Sequence, residues 1–277
     1  MKIKKILTPV DFSDCAINAL RVARNIAIQS DAELVMMTVS HMPYIHAEAM
    51  GSGAIVQPVM EDFQEEIDEK YEALIRNEKL SEVPYKIVTK TSGFIDAISE
   101  CLEEGDIDLI VTGTHAEHDL LDTLFGSKSS DIISHVRVPV LMVPEISILN
   151  RISKIGVAID FSDDNDFSKL EIVKFFAKTF NARIIILHIA DKSKKLFVYD
   201  DEKVKLSNYL KDTDHNFFTI KNKEELTQVL LTTSIVLNLD ILFMHPKNHG
   251  FVERLFYKSK TKSMAMHIDI PLLTIHE

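Results

Sequence analysis

The chain has 277 residues, of which 46% are hydrophobic, and it contains no tryptophan and two cysteines. This length favours two domains of ordinary size, each large enough to bury its own core. The composition excludes a disordered chain, and no apolar run approaches the roughly 18 residues that a membrane helix needs. Cys15 and Cys101 provide neither a zinc set nor a disulfide framework, so a reducing, cytoplasmic compartment is expected.

Acidic residues are concentrated in the first half of the chain. Residues 1–150 hold 12 Lys and Arg against 25 Asp and Glu, a net charge of -13, and residues 151–277 hold 19 against 17, a net charge of +2, which together give -11. Nucleic-acid binding depends on cations that neutralise phosphates, so the acidic first half argues against it.

Short buried strands alternate with amphipathic helices along the first half. Strands are predicted at 4–11, 32–40, 85–89, 108–112 and 138–143, and helices at 14–29, 58–79, 93–104 and from 126 onward. The long segment at 41–57 is interpreted as a loop that serves as a lid. This alternation predicts a mainly parallel five-stranded sheet with helices on both faces and right-handed crossovers.

The second half repeats the first. The matched segments are Lys5–Asp14 with Lys154–Asp163, Ala32–Met37 with Ala182–Leu187, Asp108–Val111 with Asp240–Phe243, and Pro139–Val143 with Pro271–Ile275. These matches predict an internal duplication, with a first domain over residues 1–146 and a second over residues 151–277.

The stretch from Asp108 to Val143 is the strongest functional candidate. Its first strand breaks at Gly113, and Gly126-Ser127 then opens a helix. Unpaired N–H groups at a helix N-terminus carry the positive end of the helix dipole and can hold a phosphate.

The ends of other predicted strands support a site in the same place. Open α/β sheets bind ligands outside the carboxyl ends of their strands, near a switch in strand order. Asp11, Val39 and Gly113 all follow or end a predicted strand, so we expect them at one edge of the sheet.

With these features in place, the whole chain resembles a tandem universal stress protein. The signature of that family, Gly-x2-Gly-x9-Gly-Ser/Thr, reads here Gly113-x2-Ala116-x9-Gly126-Ser127, and Pro-Val-Leu-Met-Val follows it. The spacing is kept, but alanine replaces the second glycine. The resemblance implies two Rossmann-like α/β/α domains that pair as a pseudodimer through residues 138–143 and 270–275, and it is compatible with a homodimer of the whole chain.

The resemblance also implies an adenine-nucleotide site in the first domain, for ATP or for AMP or ADP, with Mg²⁺ beside the phosphates. The backbone of Pro9 and Val10 and the side chain of Asp11 would meet the adenosine, and Val39 would touch the base. The implied ribose and phosphate contacts are Thr112, Gly113, Thr114, His115, Ala116, Gly126, Ser127, Lys128 and Ser129.

Several of these residues keep two interpretations. Asp11 is either a hydrogen-bond acceptor for a ligand or a turn acid that caps a helix. Glycine at position 113 is required either by a ligand that approaches the backbone or by tight packing. Ser127 either binds phosphate or is an ordinary helix N-cap. Ala116 and the acidic Glu117 oppose a triphosphate, so a scaffold protein that binds no nucleotide is the alternative function.

The second domain is expected to have lost the site. The positions of Gly113, Ala116, Gly126 and Ser127 are occupied there by His245, Asn248, Lys258 and Ser259. Without the outer glycines, the second domain is predicted to act as a structural partner and not as a second nucleotide site.

Metal and catalytic motifs are weak throughout the chain. The pairs His115/His118 and His245/His249 lack the three or four converging ligands that zinc requires, so no metal site is predicted. No Walker loop or nucleophile-base arrangement can be argued from the order of residues, so slow ATP hydrolysis is the only enzymatic activity considered, and no catalytic residue is predicted.

Overall fold

Ten strands and six α-helices alternate along the described residues. A computed structural model describes residues 1–40, 53–114, 132, 136–159, 167–189, 197–220, 226–244 and 270–275, without the side chains of 53–63, 189, 197–200 and 226–228. The first half contains β1 (Lys5–Pro9), α1 (Asp14–Ser30), β2 (Glu33–Val39), α2 (Gly53–Asn77), β3 (Tyr85–Lys90), α3 (Phe94–Gly105), β4 (Leu109–Thr114) and β5 (Val140–Pro144). The second half contains β6 (Lys154–Ile159), α4 (Glu171–Phe180), β7 (Arg183–Ile189), α5 (Phe197–Tyr209), β8 (His215–Ile220), α6 (Leu226–Leu237), β9 (Ile241–Met244) and β10 (Leu272–Thr274).

All ten strands form one sheet, in the order β3-β2-β1-β4-β5-β10-β9-β6-β7-β8. Every pair within a half is parallel, whereas β5 and β10 pair antiparallel, with Met142 opposite Leu272 and Leu141 opposite Leu273. The prediction of an α/β fold with a mainly parallel sheet is therefore confirmed. The segments 138–143 and 270–275, which the resemblance placed side by side, contain the paired residues of these two strands.

The sheet is covered on both faces. One hydrophobic cluster contains buried side chains of α1, α2, α4 and α5, and the other contains those of α3 and α6. Because helices cover both faces, the central strands are near-continuous apolar runs; β1 and β5 are almost fully buried, whereas the edge strands β3 and β8 are largely exposed.

The two halves begin their first strands in the same way. The Asp108 carboxylate accepts hydrogen bonds from the backbone N–H groups of Lys4 and Lys5, at 2.7 and 3.1 Å. In the second half the Asp240 carboxylate accepts the N–H groups of Ser153 and Lys154, at 2.7 and 2.8 Å. The acid that precedes β4 or β9 thus ties the start of that strand to the start of its neighbour.

The predicted helix α1 is confirmed, but α2 is longer than predicted. The predicted apolar face of α1 is buried. The prediction of a loop over residues 41–57 is wrong for residues 53–57, which form the first turns of α2, while residues 41–52 lie outside the described residues. The sequence prediction ends the loop at Pro58, but in the structure Pro58 is the sixth residue of α2.

None of the helices in the described ranges is long and apolar enough to cross a membrane.

The carboxylate of Asp108 is expected to contribute measurably to stability. Asp108→Asn should lower the free energy of unfolding by about 1 kcal/mol, because it replaces two charge-assisted hydrogen bonds by weaker neutral ones. Urea denaturation measures the change. The matched control is Asp106→Asn, at an exposed residue with φ 49° that asparagine tolerates, and it should stay within about 0.5 kcal/mol of the parent. Equal effects of the two variants would contradict this role for Asp108.

Candidate functional site

The candidate site lies at the carboxyl ends of β1, β2 and β4, which are neighbours in the sheet. The chain leaves β1 through α1 to reach β2 on one side, whereas β4 is reached from β3 through α3 and pairs with β1 on the other side. The strand order therefore reverses between β1 and β4, which is where open α/β sheets form a ligand crevice.

The predicted site residues within the described ranges all lie at this edge. Pro9 is the last residue of β1, Val10 and Asp11 follow it, Val39 ends β2, and Thr112–Thr114 ends β4. Six predicted site residues lie outside the described residues: His115, Ala116, Gly126, Ser127, Lys128 and Ser129. The motif positions of the second half, His245, Asn248, Lys258 and Ser259, also lie outside them.

Asp11 takes part in the turn that starts α1. Its Oδ1 atom accepts hydrogen bonds from the Ser13 backbone N–H at 3.1 Å and from the Ser13 hydroxyl at 2.6 Å. Ser13 in turn caps α1, since its Oγ accepts the N–H of Ala16 at 3.2 Å. This geometry gives Asp11 a structural role as a turn acid. Its side chain is exposed at the same time, so a ligand could reach it.

Phe12, between Asp11 and Ser13, has a φ of 63°. A bulky residue rarely adopts this left-handed conformation, and it persists only where neighbouring contacts hold it. The Phe12 ring packs edge-on against Tyr71 of α2, with ring centroids 5.1 Å apart. Helix α2 therefore supports the turn that carries Asp11.

The backbone of Val10 is held on both sides. Its N–H donates to the Met37 carbonyl at 2.8 Å, and its carbonyl accepts the Thr38 hydroxyl at 2.8 Å. The Thr38 oxygen also lies 2.5 Å from the Tyr71 hydroxyl. Burial raises the pKa of Tyr71 to about 12, although the hydrogen bond with Thr38 opposes this shift, so the phenol is neutral at ordinary pH.

Gly113 is in close contact with the start of α1. A Cβ atom at this position would lie 2.6 Å from both the carbonyl oxygen and the Sγ atom of Cys15. Real Cβ atoms do not approach backbone oxygen so closely. Packing of β4 on α1 is therefore a sufficient reason for glycine here, which favours the packing interpretation without excluding a ligand that uses the same space.

The Cys15 thiol beneath Gly113 is buried, and two carboxylates act on it. Burial, followed by the charges of Glu145 and Asp11, raises the pKa of this thiol to about 12. The thiol therefore stays protonated, and its burial gives Cys15 the role of a small apolar side chain in the packing of α1. Asp11 and Glu145 place two negative charges near this thiol, which disfavours a bare phosphate chain.

The end of β5 is tied to α1 and to β4. The Asn18 side-chain amide donates to the carbonyls of Pro144 and Ser147, at 3.0 and 2.9 Å. The Glu145 N–H donates to the Thr114 carbonyl at 3.1 Å. The Thr114 hydroxyl is buried and has no hydrogen-bond partner within the described part of the chain. A polar group of this kind beside a crevice is a position where a ligand could supply the missing partner.

Sequence reasoning missed Thr38, Tyr71 and Asn18. Tyr71 lies in the buried apolar stripe of α2, and Thr38 lies within β2. A signal was present, because a tyrosine in an apolar stripe needs a partner for its hydroxyl. The identity of that partner depends on how α2 packs over the sheet.

The strand order and the edge described above define a Rossmann-like α/β protein. A family model described as the universal stress protein family matches residues 2–144, more than half of the chain. The chain therefore belongs to the universal stress protein family.

Individual relatives agree with this assignment. A universal stress protein of Methanocaldococcus jannaschii is 33% identical over 144 residues, which cover 50% of this chain and 81% of that protein. Universal stress protein A homolog 1 of Coxiella burnetii is 30% identical over 146 residues, 52% of this chain and 97% of its own. The crystal structure of a universal stress protein from Archaeoglobus fulgidus is similar over 100% of this chain and 99% of its own, with a TM-score of 0.73 and 15% identity. That likeness shows that the fold is shared across both halves.

Replacement of Gly113 should destabilise the protein even without any ligand. Gly113→Ala is expected to lower the free energy of unfolding by about 1–3 kcal/mol, because the added methyl group overpacks the contact with Cys15. Urea denaturation of the nucleotide-free protein measures this. Gly105→Ala is the control, since its Cβ would meet Ile107 at an ordinary 3.5 Å, and stability should stay equal or rise by up to about 1 kcal/mol. A fully stable Gly113→Ala variant would contradict the packing requirement.

Burial of Tyr71 predicts a loss of stability in alkali. Its folded-state pKa is raised from 10.0 to about 12, so above pH 10 the unfolded chain loses a proton that the folded chain retains. The contribution of this group to the free energy of unfolding is therefore complete below pH 10 and is lost as the pH rises toward 12. Between about pH 9 and about pH 11 the parent should lose on the order of 1 kcal/mol more than Tyr71→Phe, measured by urea denaturation. Parallel pH profiles of the two proteins would contradict it.

Proposed function

We propose that this universal stress protein acts in a stress response and binds an adenine nucleotide, with ATP the first candidate, in its first half. The observation that carries the proposal is the edge at the switch between β1 and β4. Asp11, Val39 and Thr112–Thr114 lie together there, and family resemblance assigns these segments to the adenosine, ribose and phosphates.

The described residues suit such a ligand in two respects. The exposed Asp11 carboxylate offers a hydrogen-bond acceptor, and the Thr114 hydroxyl is a buried group that lacks a partner among the described residues. Glu145 and Asp11 contribute two carboxylates to this edge. A triphosphate at this edge would therefore need a counter-charge, which Mg²⁺ bound to the phosphates would supply.

We further propose that the chain is an internal pseudodimer of two domains, residues 1–146 and 151–277. The antiparallel pair β5–β10 and the matched carboxylates Asp108 and Asp240 support this arrangement. In the second domain His188 replaces Thr38, and the sequence lacks the outer glycines of the motif. The second domain would then stabilise the first and bind no nucleotide itself. The cytoplasm is the proposed compartment, on the basis of the two cysteines.

Calorimetric titration with ATP·Mg²⁺ tests the nucleotide site. The parent should bind ATP, and Gly126→Val should weaken binding at least about tenfold, because a β-branched side chain blocks a close approach of phosphate to the backbone. Lys258→Val changes the matching position of the second half and should leave the affinity unchanged. Absence of binding at millimolar ATP, or equal binding by the Gly126→Val variant, would refute the proposal.

A scaffold function without nucleotide is the second candidate, and one observation favours it. Gly113 and Asp11 both have structural roles that need no ligand. Gly113 allows the close contact with Cys15, and Asp11 holds the turn with Ser13. This function predicts that ATP·Mg²⁺ neither binds nor raises the melting temperature of the parent. A rise in melting temperature that grows with ATP concentration would exclude it.

A further inference from the structure

A chain of hydroxyl groups connects α2 to the end of β1. The Thr38 hydroxyl has a single hydrogen, which it donates to the Val10 carbonyl. Tyr71 must therefore be the donor in its 2.5 Å contact with Thr38, since the Thr38 oxygen remains an acceptor. The resulting relay runs from the Tyr71 hydroxyl through Thr38 to Val10 and is buried along its length.

Tyr71 supports both neighbours of Asp11, one directly and one through Thr38. It reaches Val10, on one side of Asp11, through Thr38, and its ring touches Phe12, on the other side, edge-on at an interplanar angle of 71°. Lys70, which is also on α2, adds a cation–π contact, since its ammonium lies 5.8 Å from the centre of the Phe12 ring. One residue of α2 thereby brackets the exposed carboxylate and supports a φ of 63° at Phe12.

The relay is a feature of the first half. The register of β6 with β7 mirrors that of β1 with β2, so the position of Thr38 is occupied by His188 in the second half. A threonine that donates to the strand-end carbonyl is thus present only in the half that retains the outer glycines of the motif.

We propose that Tyr71 is a positioning residue for the nucleoside end of the binding site. This inference rests on the nucleotide-binding function proposed above. Tyr71 fixes the Val10 carbonyl and the Phe12 turn, and these fix the direction of the Asp11 carboxylate. Because the relay acts at the adenosine end, loss of the Tyr71 hydroxyl weakens binding of adenosine and of ATP by the same factor.

The test compares Tyr71→Phe with Tyr209→Phe. Each change removes one phenol hydroxyl. The Tyr209 hydroxyl belongs to the second half, where it donates a hydrogen bond of 2.5 Å to the Glu171 carboxylate. Calorimetry with ATP·Mg²⁺ and with adenosine is performed at a temperature where thermal melting shows all proteins fully folded. Tyr71→Phe should raise both dissociation constants about 3- to 10-fold, the range expected from one lost hydrogen bond, and Tyr209→Phe should leave them unchanged.

Amide hydrogen exchange of the nucleotide-free protein separates the two effects, because general destabilisation speeds exchange throughout the protein whereas a loosened turn speeds it only locally. The N–H groups of Val10 and Ser13, which donate to Met37 and Asp11, should exchange faster in Tyr71→Phe and at the parent rate in Tyr209→Phe.

Four results would overturn the inference. Equal affinities for the parent and Tyr71→Phe would refute it and leave the proposed function intact. Equal weakening by both variants would show that Tyr71 acts through overall stability and not through the turn. Unchanged exchange at Val10 and Ser13 would show that the Tyr71 hydroxyl does not hold the turn. A parent protein that binds no adenine nucleotide would refute the proposed function and this inference together.

Discussion

The antiparallel pairing of β5 with β10 is the interaction on which the rest of the architecture depends. Each half contributes five parallel strands, and within the described ranges this pair alone joins them into one sheet. Unpaired, both strands would be apolar edges prone to aggregation. Because the pairing is antiparallel, the strands of the two halves run in opposite directions, so their carboxyl ends lie at opposite edges of the sheet. Each half can therefore hold a site of its own, and one half can lose its site without disturbing the other.

Within the first half, packing and the proposed ligand binding constrain the same residues. Gly113 allows β4 to approach Cys15, Asp11 stabilises the turn that starts α1, and Thr38 holds the end of β1. Such residues build a rigid edge whether or not a nucleotide is present, and a preorganised edge reduces the ordering that a ligand must impose. The family fold can thus persist after the site is lost, as we propose for the second half.

Sequence patterns were sufficient for most of the fold and for part of the site. Short apolar runs and a helical apolar face predicted β1, β2 and α1, because burial on both sides of a sheet leaves a strong periodic signal. Pro58 obscured the start of α2, because it lies inside the helix, where proline is disfavoured. The relay from Tyr71 to Val10 could not be predicted, since its partners are distant in sequence and meet only once α2 packs on the sheet. The close contact of Gly113 with Cys15 also depends on packing, so the sequence left its two interpretations open.

The number of nucleotides bound by each chain tests the central claim most directly, namely that one half retains a nucleotide site and the other serves as its structural partner. Native mass spectrometry of the intact protein, titrated with ATP and Mg²⁺, gives this number without any substitution. The account predicts saturation at one ATP per chain. Two ATP molecules per chain would contradict the loss of the second site, and none would contradict the proposed nucleotide-binding function.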